Sequence, residues 1–202
     1  MSCRNADGRE GGAVLFLEVQ TLELGEDVRA VGLDLRGEDE EPARGPETAA
    51  LWARVIPAIA EGQPWTLDFF SHLNRVREYC ARHSIEARER PGSALVIPGL
   101  ERDVMTELFA RFEGETFGAR AGGPLRANGA AQGGEDAALE RELVRRGLDA
   151  YHRVFGNYLF CAVCEFSDGS LVVLSESLGA TEILRRVKPA LAGEDVEVFQ
   201  AS

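Results

Sequence analysis

"AVLFLEVQTLELGEDVRAVGLDL" (Ala13–Leu35) decides the architecture. Apolar residues alternate with others over 13–24 and again over 28–35, the period of a strand with one buried face. Gly25-Glu26-Asp27 lies between them as a turn, so the stretch predicts a hairpin. Two registers compete. A three-residue loop at 25–27 pairs Leu24 with Val28, and it then pairs Thr21 with Val31, Val19 with Leu33 and Leu17 with Leu35 on one apolar face. A two-residue loop mixes apolar with charged partners. Burial favours the first, because a one-residue slip sends the whole apolar set to the solvent side.

That register also sets Glu18 directly across from Asp34 on the other face. Like charges facing each other cost a few tenths to about 1 kcal/mol. Two carboxylates on neighbouring strands can hold a divalent cation or divide acid and base roles. Glu18 and Asp34 are therefore the candidate metal ligands of a hydrolase. No lysine or histidine follows at nuclease-like spacing, and the usual metal-hydrolase motifs are missing.

Downstream, "RGEDEEPARG" (36–45) reads as an acidic loop carrying Glu38, Asp39, Glu40 and Glu41. Pro46 suits the first position of a helix over 46–62. Leu51, Val55, Ile56 and Ile59 give that helix one apolar stripe, and Pro57 is expected to kink it or end its regular part. After "QPWT" (63–66), Thr66 reads as the N-cap of a second helix, lined by Phe69, Leu73, Val76 and Cys80. A strand at Ala94–Ile97, hairpinned at Pro91-Gly92, and a short helix over 100–112 follow. Residues 113–134 are rich in glycine and alanine and predict a long mobile loop, open to trypsin at Arg120 and Arg126.

The best-supported helix spans 135–155, with Leu139, Leu143, Leu148, Tyr151 and Phe155 at helical spacing. A second hairpin occupies 158–175, with Asp168-Gly169 as a two-residue turn. A helix over 181–193 and a strand over 195–199 complete the pattern. Helices grouped between strands predict an α+β two-layer sandwich, a mixed and mostly antiparallel sheet packed by helices. Residues 1–12 read as a disordered tail and 13–202 as one domain. The polar, glycine-rich start has no apolar region of a secretory signal.

Composition narrows the function. The chain has 202 residues and a net charge of −12. Such a surface repels phosphates, which argues against nucleic acid and anionic membrane as partners and favours a basic protein. No apolar run approaches the ~20 residues of a membrane helix. A soluble, cytoplasmic protein is expected. Three histidines and four cysteines are a thin supply of metal ligands, and no cofactor is implied.

Cys161 and Cys164 form a C-x-x-C inside "YLFCAVCEF" (158–166). On a strand, residues three apart point to opposite faces and their Cα atoms lie roughly 10 Å apart. A disulfide needs less than about 7 Å, and a structural zinc site needs a second ligand pair. Both thiols therefore read as small buried core residues. "SESLGATEILRR" (175–186) could offer helix amides and Arg185 or Arg186 to an anion, but plain capping explains it as well. The pairs Cys80/His83 and Asp68/His72 share helical faces without the third group that a nucleophile needs. Trp52 and Trp65 suit either core packing or an interface anchor.

The expectation is a non-catalytic, acidic protein-binding module, an adaptor, inhibitor or immunity-type regulator of a basic partner. Its binding residues would be Glu38, Asp39, Glu40, Glu41, Trp52 and Trp65. The alternative is the metal-dependent hydrolase on Glu18 and Asp34.

Overall fold

The computed structural model describes residues 14–23, 29–69, 71–90, 94–112, 116–122, 159–165 and 168–201. The tail over 1–12, the turns at 25–27 and Pro91-Gly92, the stretch 123–134 and the helix expected over 135–155 lie outside the described residues. So does the Leu24–Val28 pair.

The opening hairpin is β1 (Leu15–Glu23) and β2 (Arg29–Arg36). Leu17 faces Leu35, Glu18 faces Asp34, Val19 faces Leu33 and Thr21 faces Val31, the register that burial selects. Helix α1 (Pro46–Ala60) follows with proline in its first turn. Pro57 takes away one amide donor, yet the regular helix continues to Ala60. Ile59 and Ala60 are both buried, so packing keeps the last turn.

Two sequence expectations fail here. Residues Trp65–Phe69 are not the start of a helix but strand β3. Trp65, Leu67 and Phe69 alternate onto the core face, and aromatic side chains suit a pleated, half-buried surface. Helix α2 is shorter, Leu73–Arg82, and begins after His72 in the left-handed region at φ 48°. Thr66 caps nothing; it sits across from Pro98 and Arg120 in the sheet. The second failure is the long loop. Thr116–Ala121 form strand β6, with Phe117, Ala119 and Ala121 buried in alternation. Arg120 is therefore no open cleavage site.

Strands β4 (Arg88–Arg90) and β5 (Ala94–Pro98) form the expected hairpin, followed by α3 (Arg102–Arg111). Strands β7 (Phe160–Glu165) and β8 (Ser170–Leu174) form the next. Their register pairs Glu165 with Ser170, so Asp168-Gly169 is not by itself the two-residue connection expected. Helix α4 (Ala180–Ala190) and strand β9 (Val196–Gln200) complete the described elements.

Among the described residues, nine strands form one sheet in the order β4-β5-β3-β6-β7-β8-β2-β1-β9. Every neighbouring pair is antiparallel except β1–β9, which is parallel. The fold is an α+β sandwich with a mixed, mostly antiparallel sheet. A row of side chains runs across it from Phe69 through Phe117, Cys164, Leu171 and Leu33 to Val19, all buried. Trp52 and Ile56 of α1, Tyr79 of α2, Phe109 of α3 and Ile183 of α4 close over this face as one apolar core. Stacked rings at 5.2 Å link Phe117 to both Phe69 and Phe109.

The other face is partly dry as well. Ala30, Leu174 and Cys161 lie side by side across β2, β8 and β7. They are buried without belonging to the helical core. Among the described residues, no helix is long and apolar enough to cross a membrane.

Candidate protein-binding surface

The acidic stretch is an ordered turn. Gly37 N–H donates to Glu41 O at 3.0 Å, Glu40 N–H donates to Gly37 O at 3.1 Å, and Arg36 bridges Pro42. Beyond it, Ala43 N–H donates to Leu35 O at 2.9 Å, while Leu35 N–H donates to Gly169 O at 2.7 Å. The turn is thus stitched to the end of β2 and to the β7–β8 connection. Glu38, Asp39, Glu40 and Glu41 are all exposed. Glu40 holds φ at 62°, a region that costs a non-glycine residue about 1–2 kcal/mol.

Glu18 and Asp34 face each other as the register requires, flanked by Phe199 on β9 and Ser170 on β8. Gln20 Nε2 donates to Asp34 Oδ2 at 2.7 Å. That bond engages one carboxylate oxygen. Among the described residues, no group of three or more His, Cys, Asp and Glu side chains is placed to hold a metal ion.

The two tryptophans part company. Trp52 is 0% exposed in the core, which removes it from any surface. Trp65 is half-buried on β3. Its carbonyl accepts from Gly99 N–H at 2.8 Å, and its indole fills the space that a Cβ at Gly99 would need. Of the two tryptophans, only Trp65 keeps any exposed surface.

Sequence reasoning missed a deeply set ion pair. Asp68 on β3 and Arg120 on β6 meet on the sheet face away from the helices, with Arg120 Nε 2.5 Å from Asp68 Oδ2. Their side chains are only 4% and 13% exposed. Asp68 stands across from Gly118 and Arg120 two residues along β6, so the pair is diagonal. The signal was the alternation in "WTLDF" and "TFGARA", where a charge falls on the face opposite the apolar residues.

Cys161 and Cys164 lie in β7 on opposite faces, both buried. Burial pushes the Cys164 thiol well up, and the nearby Asp68 charge adds to the effect. Cys80 is likewise raised by burial. Neither is a ready thiolate. His83 stacks on Tyr79 at 4.3 Å and lies 3.6 Å from Glu107. Burial is also the main cause that lifts the Tyr79 hydroxyl to about 12. With Asp68 on a strand, it no longer shares a helical face with His72.

At α4 the two arginines considered for an anion are engaged. Arg185 and Arg186 both reach Glu182 and Glu61, and Arg186 Nη1 donates to Ile59 O at 2.7 Å near the end of α1. Hydrogen bonds from Arg185, then Arg186, pull Glu182 down to about 2. This network joins α4 to the end of α1. In the turn before α4, Ser175 Oγ accepts from the N–H groups of Ser177 and Leu178 at 3.2 and 3.0 Å, while the N-cap Gly179 makes no side-chain cap bond.

No family model, curated protein or solved structure matches the chain.

Proposed function

We propose that the protein is a non-catalytic, acidic protein-binding module of the cytoplasm that acts on a basic protein partner, as an adaptor, inhibitor or immunity-type regulator does. The observation that carries this reading is the ordered turn at 37–42. Backbone bonds fix it to the sheet, and four adjacent carboxylates stand in solvent. A disordered acidic tract would serve solubility equally well. Here, in addition, Glu40 keeps an acidic side chain at a backbone position where glycine would be cheaper.

The metal-dependent hydrolase keeps one observation in its favour, the side-by-side placement of Glu18 and Asp34. It also needs further oxygen ligands, while Gln20 already engages one Asp34 oxygen. A thermal melt with Mg²⁺, Mn²⁺ or Zn²⁺ separates the readings, since a native site raises the midpoint by several degrees. The binding reading is tested by capture from the native cell. The bait is compared with a variant carrying Gln or Asn at 38–41. Basic proteins retained by the first and lost by the second are the expected result. An unchanged set of retained proteins removes the turn from the interaction.

A further inference from the structure

Among the described residues, strand β9 ends the sheet order, and its open side has a readable hydrogen-bond pattern. Leu15 N–H donates to Asp195 O at 3.2 Å, and Ala201 N–H donates to Val19 O at 3.0 Å. Alternate residues of a strand direct both backbone groups to the same neighbour. With the β1–β9 register, Asp195, Glu197, Phe199 and Ala201 turn toward β1. Val196, Val198 and Gln200 turn their N–H and C=O groups to the open side.

The side chains on this edge are selective. Glu197 and Phe199 are exposed on the face away from the helices. Phe199, at 42%, is the exposed large apolar side chain among the described residues, and it stands in one row with Glu18 and Asp34. Asp195 is exposed at the start of the strand. Glu38 reaches the adjoining Val14 N–H at 3.5 Å, so the acidic turn belongs to the same end of the sheet. Open edges are commonly blunted by lysine, proline, a bulge or short length. The five residues of β9 contain no lysine or proline, and their register has no bulge. The opposite edge differs. Strand β4 has three residues, and Arg88 and Glu89 are paired with Glu86 and Arg77.

We propose, on the basis of the acidic-module reading, that β9 is the docking edge and that its occupant is an extended basic segment of the partner protein, added as a further strand. Residues directly opposite on adjacent strands share a face. The segment therefore places a lysine or arginine across from Glu197 and an apolar residue two positions away across from Phe199. A second copy of this chain fits worse. Two β9 edges would bring together two acidic ends of chains that each carry a net charge of −12, and the charges of β4 are already neutralised locally.

The probe is a capped synthetic peptide with valine two residues from a lysine on each side and threonine between. Its counterpart carries glutamate for lysine. Binding is followed by NMR titration and amide hydrogen exchange of the whole chain. The lysine peptide should bind and protect the amides of Val196, Val198 and Gln200, and the glutamate peptide should not bind. Val198→Pro removes an outward donor and leaves the β1 ladder intact, as proline on an open edge can. It should weaken binding about tenfold while the β1–β9 amides stay protected, although losing the Val198 contact with the core lowers the melt. Glu197→Lys should weaken binding similarly. Three results overturn the proposal. One is failure of the lysine peptide to bind. Another is binding that survives Val198→Pro and leaves those amides unprotected. That result moves the partner off the edge but spares the acidic reading if neutralising 38–41 still weakens binding. The third is self-association abolished by Val198→Pro, which makes a second copy the occupant. Equal binding of the glutamate peptide would instead sink the acidic reading, whatever the edge does.

Discussion

Arg120 on β6 and Asp68 on β3 form an ion pair inside the sheet, 52 residues apart in sequence. Removing one partner of a buried pair leaves an uncompensated charge, which costs about 3–5 kcal/mol. Arg120→Leu should therefore destabilise by that amount. The double variant Asp68→Leu/Arg120→Leu should cost less than Arg120→Leu alone, because apolar replacement of a whole pair is often neutral. Urea unfolding of both checks this. Additive losses would show that the two side chains do not interact.

Leu17 and Leu33 lie on the core side of the first hairpin, almost without exposure. Leu17→Ala or Leu33→Ala should each cost about 2–5 kcal/mol, the loss of a packed side chain plus the cavity left behind. Chemical denaturation measures it. A loss under about 1 kcal/mol for both would mean that the register is wrong, and the Glu18–Asp34 pairing would go with it.

Gly169 holds φ at 65°, and a Cβ there would lie 2.5 Å from Leu35 O. Gly169→Ala should destabilise by about 1–2 kcal/mol from the backbone alone, with the overlap added. Gly37→Ala is the control, since a Cβ there meets nothing within 4 Å. Its effect should stay near 0.5 kcal/mol or below. Equal melting shifts for the two variants would contradict the close seating of Gly169 on β2.

Glu182 has its carboxyl pulled from the ordinary 4.5 to about 2 by hydrogen bonds from Arg185 and Arg186. A depressed carboxylate stabilises above its unfolded value and loses that contribution as pH falls through its folded value. The tie between α4 and α1 should hold above about pH 4.5 and fade toward pH 2. Carbon NMR of the Glu182 carboxyl should place its midpoint near the lower figure, and Arg185→Gln should raise it. A wild-type midpoint near 4.5 would mean that the network does not form in solution.

The acidic turn should act on encounter. Neutralising Glu38, Asp39, Glu40 and Glu41 should slow association with the basic partner more than it speeds release. The wild-type association rate should fall steeply with salt, because screening shortens from about 10 Å at 0.1 M to about 3 Å at 1 M. Glu40→Gly should stabilise the fold by about 1 kcal/mol through its left-handed backbone while slowing association. Surface plasmon resonance over a salt series is the measurement. A salt-independent rate, unchanged in the neutralised protein, would exclude the turn.

What was legible in the sequence follows a physical rule. The first hairpin could be registered in advance because a single slip would have exposed its whole apolar set. The β7 cysteines were readable because strand geometry alone separates them. Strand β3 was not readable. Phe69 falls by accident at helical spacing with Leu73, Val76 and Cys80 of α2, across a boundary set by His72 in the left-handed region. Strand β6 was hidden by its own composition, since Gly118, Ala119 and Ala121 give little apolar contrast and low strand preference. Once both strands were lost, the Asp68–Arg120 pair could not be seen, because it exists only where β3 and β6 lie side by side. Trp52 was ambiguous for another reason. An indole suits a core and an interface equally, and only its burial decides.

The parallel pairing of β1 with β9 has a mechanical consequence. Tension applied between Leu15 and Gln200 pulls one strand backward and the other forward along the same axis. All the bonds between them are then sheared together, whereas the ends of an antiparallel hairpin peel apart one bond at a time. Forced rupture is governed by the unfolding barrier rather than by equilibrium stability. The chain should thus resist stretching from these two points far more than its melting temperature alone would suggest.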